Sequence, residues 1–206
     1  MNRQFPDAKR NRYRDKTVID IWVRPHLRRV LDPIGRFLNR CGISPAGLTL
    51  FGLGVTIVGA VVISLEYLVV GSLIALAGSA IDGLDGTLAR AADRVTKRGA
   101  FLDASVDRLG EVACFSGLAV ARAGEPRVLM LIVLSVSGAL MIPYLRARAE
   151  AEGLKGTGGF IGRAERVILF ALGLLTGWVE PMLWAMTVLC WVSALHRFSV
   201  AYRELK

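Results

Sequence analysis

The chain has 206 residues, of which 53% are hydrophobic, and 26 basic against 17 acidic residues give a net charge of +9. That apolar share and a mean hydropathy of +0.48 are high for a soluble domain. The positive charge lies between apolar segments rather than on one basic face, which argues against nucleic acid as a partner and for a single-domain membrane protein beside anionic lipids.

Residues 1–16 are polar and basic, with Lys9, Arg10, Arg12, Arg14 and Lys16, and read as a cytoplasmic arm; no cleavable signal peptide is expected. Residues 17–40 interleave Ile19, Trp22, Val23, Leu31, Ile34 and Phe37 with Arg24, Arg28, Arg29, Arg36 and Arg40. This pattern predicts an amphipathic helix in the membrane interface, broken or kinked at Pro25 and Pro33. Ser44-Pro45 is a helix start, an N-cap followed by proline at N1. The apolar run from 45 to about 65 has the ~20 residues that cross the hydrocarbon core.

Further apolar spans are expected at 69–90, 99–121, 127–148, 163–178 and 181–202. The fold class is therefore all-α and integral to the membrane: six transmembrane helices over 44–206, preceded by the interfacial helix. Between the fourth and fifth spans, Leu154 to Gly162 is glycine-rich and reads as a flexible connection. Trp178 and Trp184 fall where an interfacial aromatic belt would lie. Arg94, Lys97, Arg98, Lys155 and Arg163 crowd the loops after spans two and four, so both termini and those loops are assigned to the cytoplasm. Cys41, Cys114 and Cys190 are scattered without ligand spacing, and the only histidines are His26 and His196, so a zinc site is not expected.

Four aspartates interrupt the apolar pattern at the second-to-third span junction. Asp82 and Asp85 are three apart, and Asp103 and Asp107 four apart, so each pair shares a helical face. Acids beside membrane-length apolar segments need compensating charge. A divalent metal supplies it, and two metals would suit phosphoryl chemistry. The competing reading makes Asp85-Gly86 a turn and pairs the other acids with Arg90, Arg94, Arg98 and Arg108.

The run Asp82-x-x-Asp85-Gly86-x-x-Ala89-Arg90, eight residues, then Gly99-x-x-x-Asp103-x-x-x-Asp107 resembles the signature of the CDP-alcohol phosphotransferases. The resemblance implies two Mg2+ or Mn2+ ions, with Asp82 and Asp103 bridging, Asp85 on one ion and Asp107 on the other. It also implies that Asp107 is the general base for the acceptor hydroxyl. CDP-lipid contacts are implied at Ala46, Gly47, Leu48, Thr49, Gly86, Ala89, Arg90 and Thr96. Small residues at 86 and 89 leave room for a base or ribose against the helix. Relatives of this kind are homodimers, and Gly117, Ser135, Ser137 and Gly138 could serve either a dimer contact or internal packing.

Phosphorylated acceptors need extra cations, and Arg146, Arg166 and Arg197 stand at the cytoplasmic ends of three spans. The plainer reading of each is snorkelling to the interface. The segments Tyr144-x-Arg146-Ala-Arg148-Ala-Glu150 and Gly158-Gly159-Phe160-Ile161-x-Arg163-x-Glu165-Arg166 resemble the actinobacterial branch that joins CDP-diacylglycerol to inositol 1-phosphate. Glycerol 3-phosphate is the alternative acceptor. A cation transporter is the alternative from another class, weakened by the lack of a second aspartate cluster in the C-terminal half.

Overall fold

The structure is a computed structural model and describes residues 44–83 and 96–205. The basic arm, the helix expected at 17–40, and Asp85, Gly86, Ala89 and Arg90 lie outside the described residues. Among the described residues six helices follow one another: α1 (Pro45–Ser64), α2 (Leu68–Asp82), α3 (Lys97–Ala121), α4 (Pro126–Ala151), α5 (Arg163–Thr176) and α6 (Val179–Glu204). α1, α4 and α6 are long and apolar enough to cross a membrane, by length and composition. α2 is apolar but shorter, with 15 residues, and α5 has 14.

The helix starts follow from side-chain chemistry. Ser44 Oγ accepts the Gly47 amide at 3.0 Å, and Pro45 occupies the first turn where its missing N–H costs nothing. Thr96 does the same for α3, its Oγ1 accepting the Gly99 amide at 3.0 Å. Pro126 opens α4, and Gly177, with φ of 76°, closes α5 in the left-handed conformation.

α1 packs against both α2 and α3, while α4 packs against α6, and α5 touches α2 and α6. The main apolar core joins Ile63, Phe115, Leu118, Leu131, Leu174, Leu183 and Met186. Ser135 Oγ lies 2.8 Å from Thr187 Oγ1 and donates to the Leu183 carbonyl at 3.1 Å, tying α4 to α6. Gly138 faces Cys190 and Trp191, and Gly117 faces the Ala60 carbonyl. These three small residues therefore serve packing within one chain. Cys190 is buried in the core, and Cys114 is partly buried.

The segment 154–162 is not a loose connection. Gly156, Gly158 and Gly159 have φ of 62°, 108° and 93°, a backbone open to glycine. Their loop is fastened to α6: the Gly159 amide donates to His196 Nδ1 at 3.2 Å and the Phe160 amide to Ser193 Oγ at 2.9 Å. Trp178 and Trp184 are both exposed.

The α1–α2 approach has a direct consequence for the acids. A Cβ on Gly52 would lie 2.8 Å from the Asp82 amide nitrogen and 3.0 Å from Asp82 Cβ. Gly52 thus lets the end of α2 come against α1 and sets where Asp82 stands. Gly52→Val should push that end of α2 away, costing about 1–3 kcal/mol of overpacking. The expected result is a lower thermal midpoint in detergent, together with a loss of activity larger than that of Gly54→Val. A Cβ on Gly54 would meet nothing within 4 Å, so that variant controls for the added side chain.

Candidate metal centre and active site

Asp82, Asp103 and Asp107 converge. One carboxylate oxygen from each lies within 4.8 Å of the others, a spacing that could hold a metal ion. Asp82 ends α2 and is 2% exposed, while Asp103 and Asp107 stand one turn apart on α3. The helices α2 and α3 therefore bring together side chains more than twenty positions apart in sequence. Hard carboxylate oxygens are the donor set that Mg2+ and Mn2+ prefer, so the residues present fit such an ion. Among the described residues this is the one group of three or more acidic, histidine or cysteine side chains with that spacing.

Arginines surround the acids. Arg163, the first residue of α5, donates from Nη2 to Asp82 Oδ2 at 3.0 Å, and its Nη1 lies 2.7 Å from Asp107 Oδ1. Arg163 Nη2 also reaches Ser79 Oγ at 3.4 Å. Arg108 Nη2 lies 3.5 Å from Asp107 Oδ2, and its Nη1 donates to Glu111 at 3.1 Å. Glu111 in turn accepts both Nε and Nη2 of Arg166, at 2.7 and 3.1 Å. This fork geometry is the strong form of an arginine–carboxylate pair. Among the described residues, Asp82, Asp107 and Glu111 thus pair with Arg108, Arg163 and Arg166 where α2, α3 and α5 meet.

A cavity adjoins the cluster and runs between α1, α2, α3 and α5. Asp82, Asp107, Glu111, Arg163 and Arg166 give it polar walls, and Leu53, Val106, Phe115 and Phe170 give it apolar ones.

The other expected site residues lie as follows. Ala46 and Gly47 are exposed at the start of α1, whereas Leu48 and Thr49 are buried, and Thr49 Oγ1 donates to the Pro45 carbonyl at 2.9 Å. Thr96 caps α3. Arg146 pairs with Glu150 one turn on, at 3.1 Å. Arg166 is 2% exposed and bound to Glu111, and Arg197 is 5% exposed and donates to the Gly156 carbonyl. Only Arg166 of these three lines the cavity beside Asp107.

The sequence offers Arg108 as a pairing partner for the acids, and it stands 3.5 Å from Asp107, but it marks neither Arg163 nor Glu111 as a site residue. Glu111 had a signal: with Asp103 and Asp107 it continues a four-residue spacing along one face of an otherwise apolar helix. Arg163 read as a loop charge, because its contacts with α2 and α3 arise only when α5 docks.

The acidic cluster and apolar bundle define a helical membrane protein with a candidate divalent-metal site. The family model for CDP-alcohol phosphatidyltransferase matches residues 43–198, and the protein belongs to that family. It is therefore a transferase of phospholipid biosynthesis and an integral membrane protein, and its acidic cluster could hold a divalent cation. The chain is 31% identical over 188 residues to the archaetidylinositol phosphate synthase of Pyrococcus horikoshii, covering 89% of this chain and 97% of that one. It is 34% identical over 173 residues to the phosphatidylinositol phosphate synthase of Mycolicibacterium smegmatis, covering 79% and 76%. The crystal structure of the Mycobacterium tuberculosis phosphatidylinositol phosphate synthase with manganese and citrate superposes with a TM-score of 0.78 at 29% identity, covering 84% of this chain and 88% of that one. The same enzyme with CDP-DAG bound gives 0.71 at 31% identity, covering 86% and 92%.

The Glu111–Arg166 pair makes a stability prediction. Glu111→Ala leaves the Arg166 guanidinium buried without its carboxylate and should cost roughly 3–5 kcal/mol. The double variant Glu111→Leu with Arg166→Met removes both charges and should recover much of that loss. Thermal unfolding of wild type and both variants in the same detergent checks the ordering.

Proposed function

We propose that the protein transfers the phosphatidyl group of CDP-diacylglycerol to inositol 1-phosphate, releasing CMP and forming phosphatidylinositol phosphate. The convergence of Asp82, Asp103 and Asp107 from two helices is the observation that carries the chemistry. The acceptor reading is supported by the relatives: the archaeal and mycobacterial synthases differ by name in the lipid they carry and agree in inositol phosphate.

Asp82, Asp85, Asp103 and Asp107 would hold two divalent cations, Asp85 joining from outside the described residues. When bound, such ions neutralise the acids, polarise the diphosphate and stabilise the departing CMP. The chain's own task is to bring the acceptor hydroxyl in line with the phosphorus that bears the diacylglycerol. Asp107 takes the hydroxyl proton on a carboxylate oxygen, the new oxygen–phosphorus bond forms, and the bond to the CMP oxygen breaks. Residues 46–49, Gly86, Ala89, Arg90 and Thr96 would flank the cytidine diphosphate. The acceptor phosphate would meet Arg146, Arg166 and Arg197. Arg146 is the most accessible of them: its side chain is 38% exposed, and its partner Glu150 is 32% exposed, so a phosphate can replace that carboxylate.

Six membrane spans, with the acidic cluster and both termini on the cytoplasmic side, complete the proposal, together with an interfacial helix at 17–40, a basic cytoplasmic arm at 1–16, and a homodimeric assembly.

The direct test is CMP release from CDP-diacylglycerol with inositol 1-phosphate, glycerol 3-phosphate and free inositol offered in turn. Turnover should be fastest with inositol 1-phosphate. A preference for glycerol 3-phosphate would replace the acceptor, and no release with any alcohol would remove the enzyme reading. Asp107→Asn should lower turnover by at least ~100-fold while leaving CDP-lipid binding measurable. Full turnover in that variant would rule out Asp107 as the base.

A further inference from the structure

Arg163 contacts two of the three carboxylates that could hold a metal ion. Its two terminal nitrogens reach Asp82 Oδ2 at 3.0 Å and Asp107 Oδ1 at 2.7 Å, and both residues belong to the converging trio. A divalent ion such as Mg2+ draws on carboxylate oxygens at ~2.0–2.1 Å and repels a guanidinium paired with the same carboxylates, so the two compete for them. We propose that Arg163 is an internal counter-cation of the acidic cluster, competing with the divalent metal for Asp82 and Asp107.

The position of Arg163 supports this in three ways. It opens α5, and the Glu165 carboxylate accepts the Gly162 amide at 3.1 Å, so its backbone is set by a capped helix other than the two that carry the acids. A cation at a helix N-terminus is opposed by the helix dipole, so helix stability does not explain an arginine there, whereas facing carboxylates do. The side chain is also 30% exposed and so has a path towards solvent. Arg166, at 2% exposure, has none and is clamped by Glu111, which also holds Arg108. Among the three described arginines at the cluster, Arg163 is the one that is both partly exposed and not held by Glu111, so it is the one that can swing out as metal enters.

This exchange has two consequences. The acids stay together at low metal, because the guanidinium offsets their repulsion. Apparent metal affinity is the intrinsic affinity multiplied by the fraction of molecules in which the guanidinium has moved away. Neither consequence depends on which alcohol accepts the phosphatidyl group.

The test is a Mn2+ titration of the purified full-length protein in detergent after removal of metal with EDTA, with free Mn2+ counted by electron paramagnetic resonance. Arg163→Gln removes the charge and should tighten Mn2+ binding by about tenfold, as expected if the paired form holds nine-tenths of the molecules. The metal-stripped variant should melt at a lower temperature than the metal-stripped wild type. Arg163→Lys, with one point charge in place of a fork, should fall between them, and it provides the comparison should the glutamine variant not fold without metal. Arg148→Gln removes the same charge from α4, where Arg148 pairs with Glu152, and should leave the constant unchanged. Equal or weaker Mn2+ binding by both Arg163 variants would overturn the proposal, as would an equal gain from Arg148→Gln. Absence of Mn2+ binding by the wild type would remove the metal reading as well, whereas an unchanged constant would remove this inference alone.

Discussion

The mutual repulsion of Asp82, Asp103 and Asp107 is the constraint on which the rest of the structure depends. Their oxygens gather within 4.8 Å in a molecule whose long helices are apolar enough for lipid. Like charges at that distance are strongly unfavourable once water is thinned around them. The protein meets the cost with cations from its own chain, Arg163 directly and Arg108 more distantly, and the same oxygens could hold a divalent ion. A site of this kind stores charge for a substrate that is itself a diphosphate.

The packing explains how the charges come to be aimed at each other. Gly52 lets α2 approach α1 so closely that Asp82 is pressed into the interface, and α1 is also the helix against which α3 lies. Glu111 then bridges Arg108 on its own helix and Arg166 on α5, which fixes α5 against α3 just beyond Asp107. The glycine-rich segment before α5 is pinned to α6 by His196 and Ser193, so the chain enters α5 from a defined direction. The result is a packed frame beneath the acids, with the partly exposed Arg163 at its edge.

Much of this was legible in the residues. Ser44-Pro45 marked the start of α1, and the aspartate spacing placed two acids on one face of α3. The apolar runs placed the six described helices to within a few residues at every end but that of α2, where the expected span runs on to 90. Local signals of this type survive because caps and periodicity act over a single turn. The contacts of Arg163, Arg166 and Arg197 were not legible, because each depends on a partner more than forty positions away. The 154–162 segment shows the same limit: its glycines signalled a loop, but nothing local foretold that α6 would hold it. Asp85, Gly86, Ala89 and Arg90 belong to the sequence motif alone, since they lie outside the described residues.

The most direct measurement of the central claim is the location of bound manganese by anomalous scattering from crystals of the protein grown with Mn2+. The account predicts anomalous density between the carboxylates of Asp82, Asp103 and Asp107, with the Arg163 guanidinium displaced from them. Manganese bound elsewhere, with these acids still paired to arginine, would contradict it.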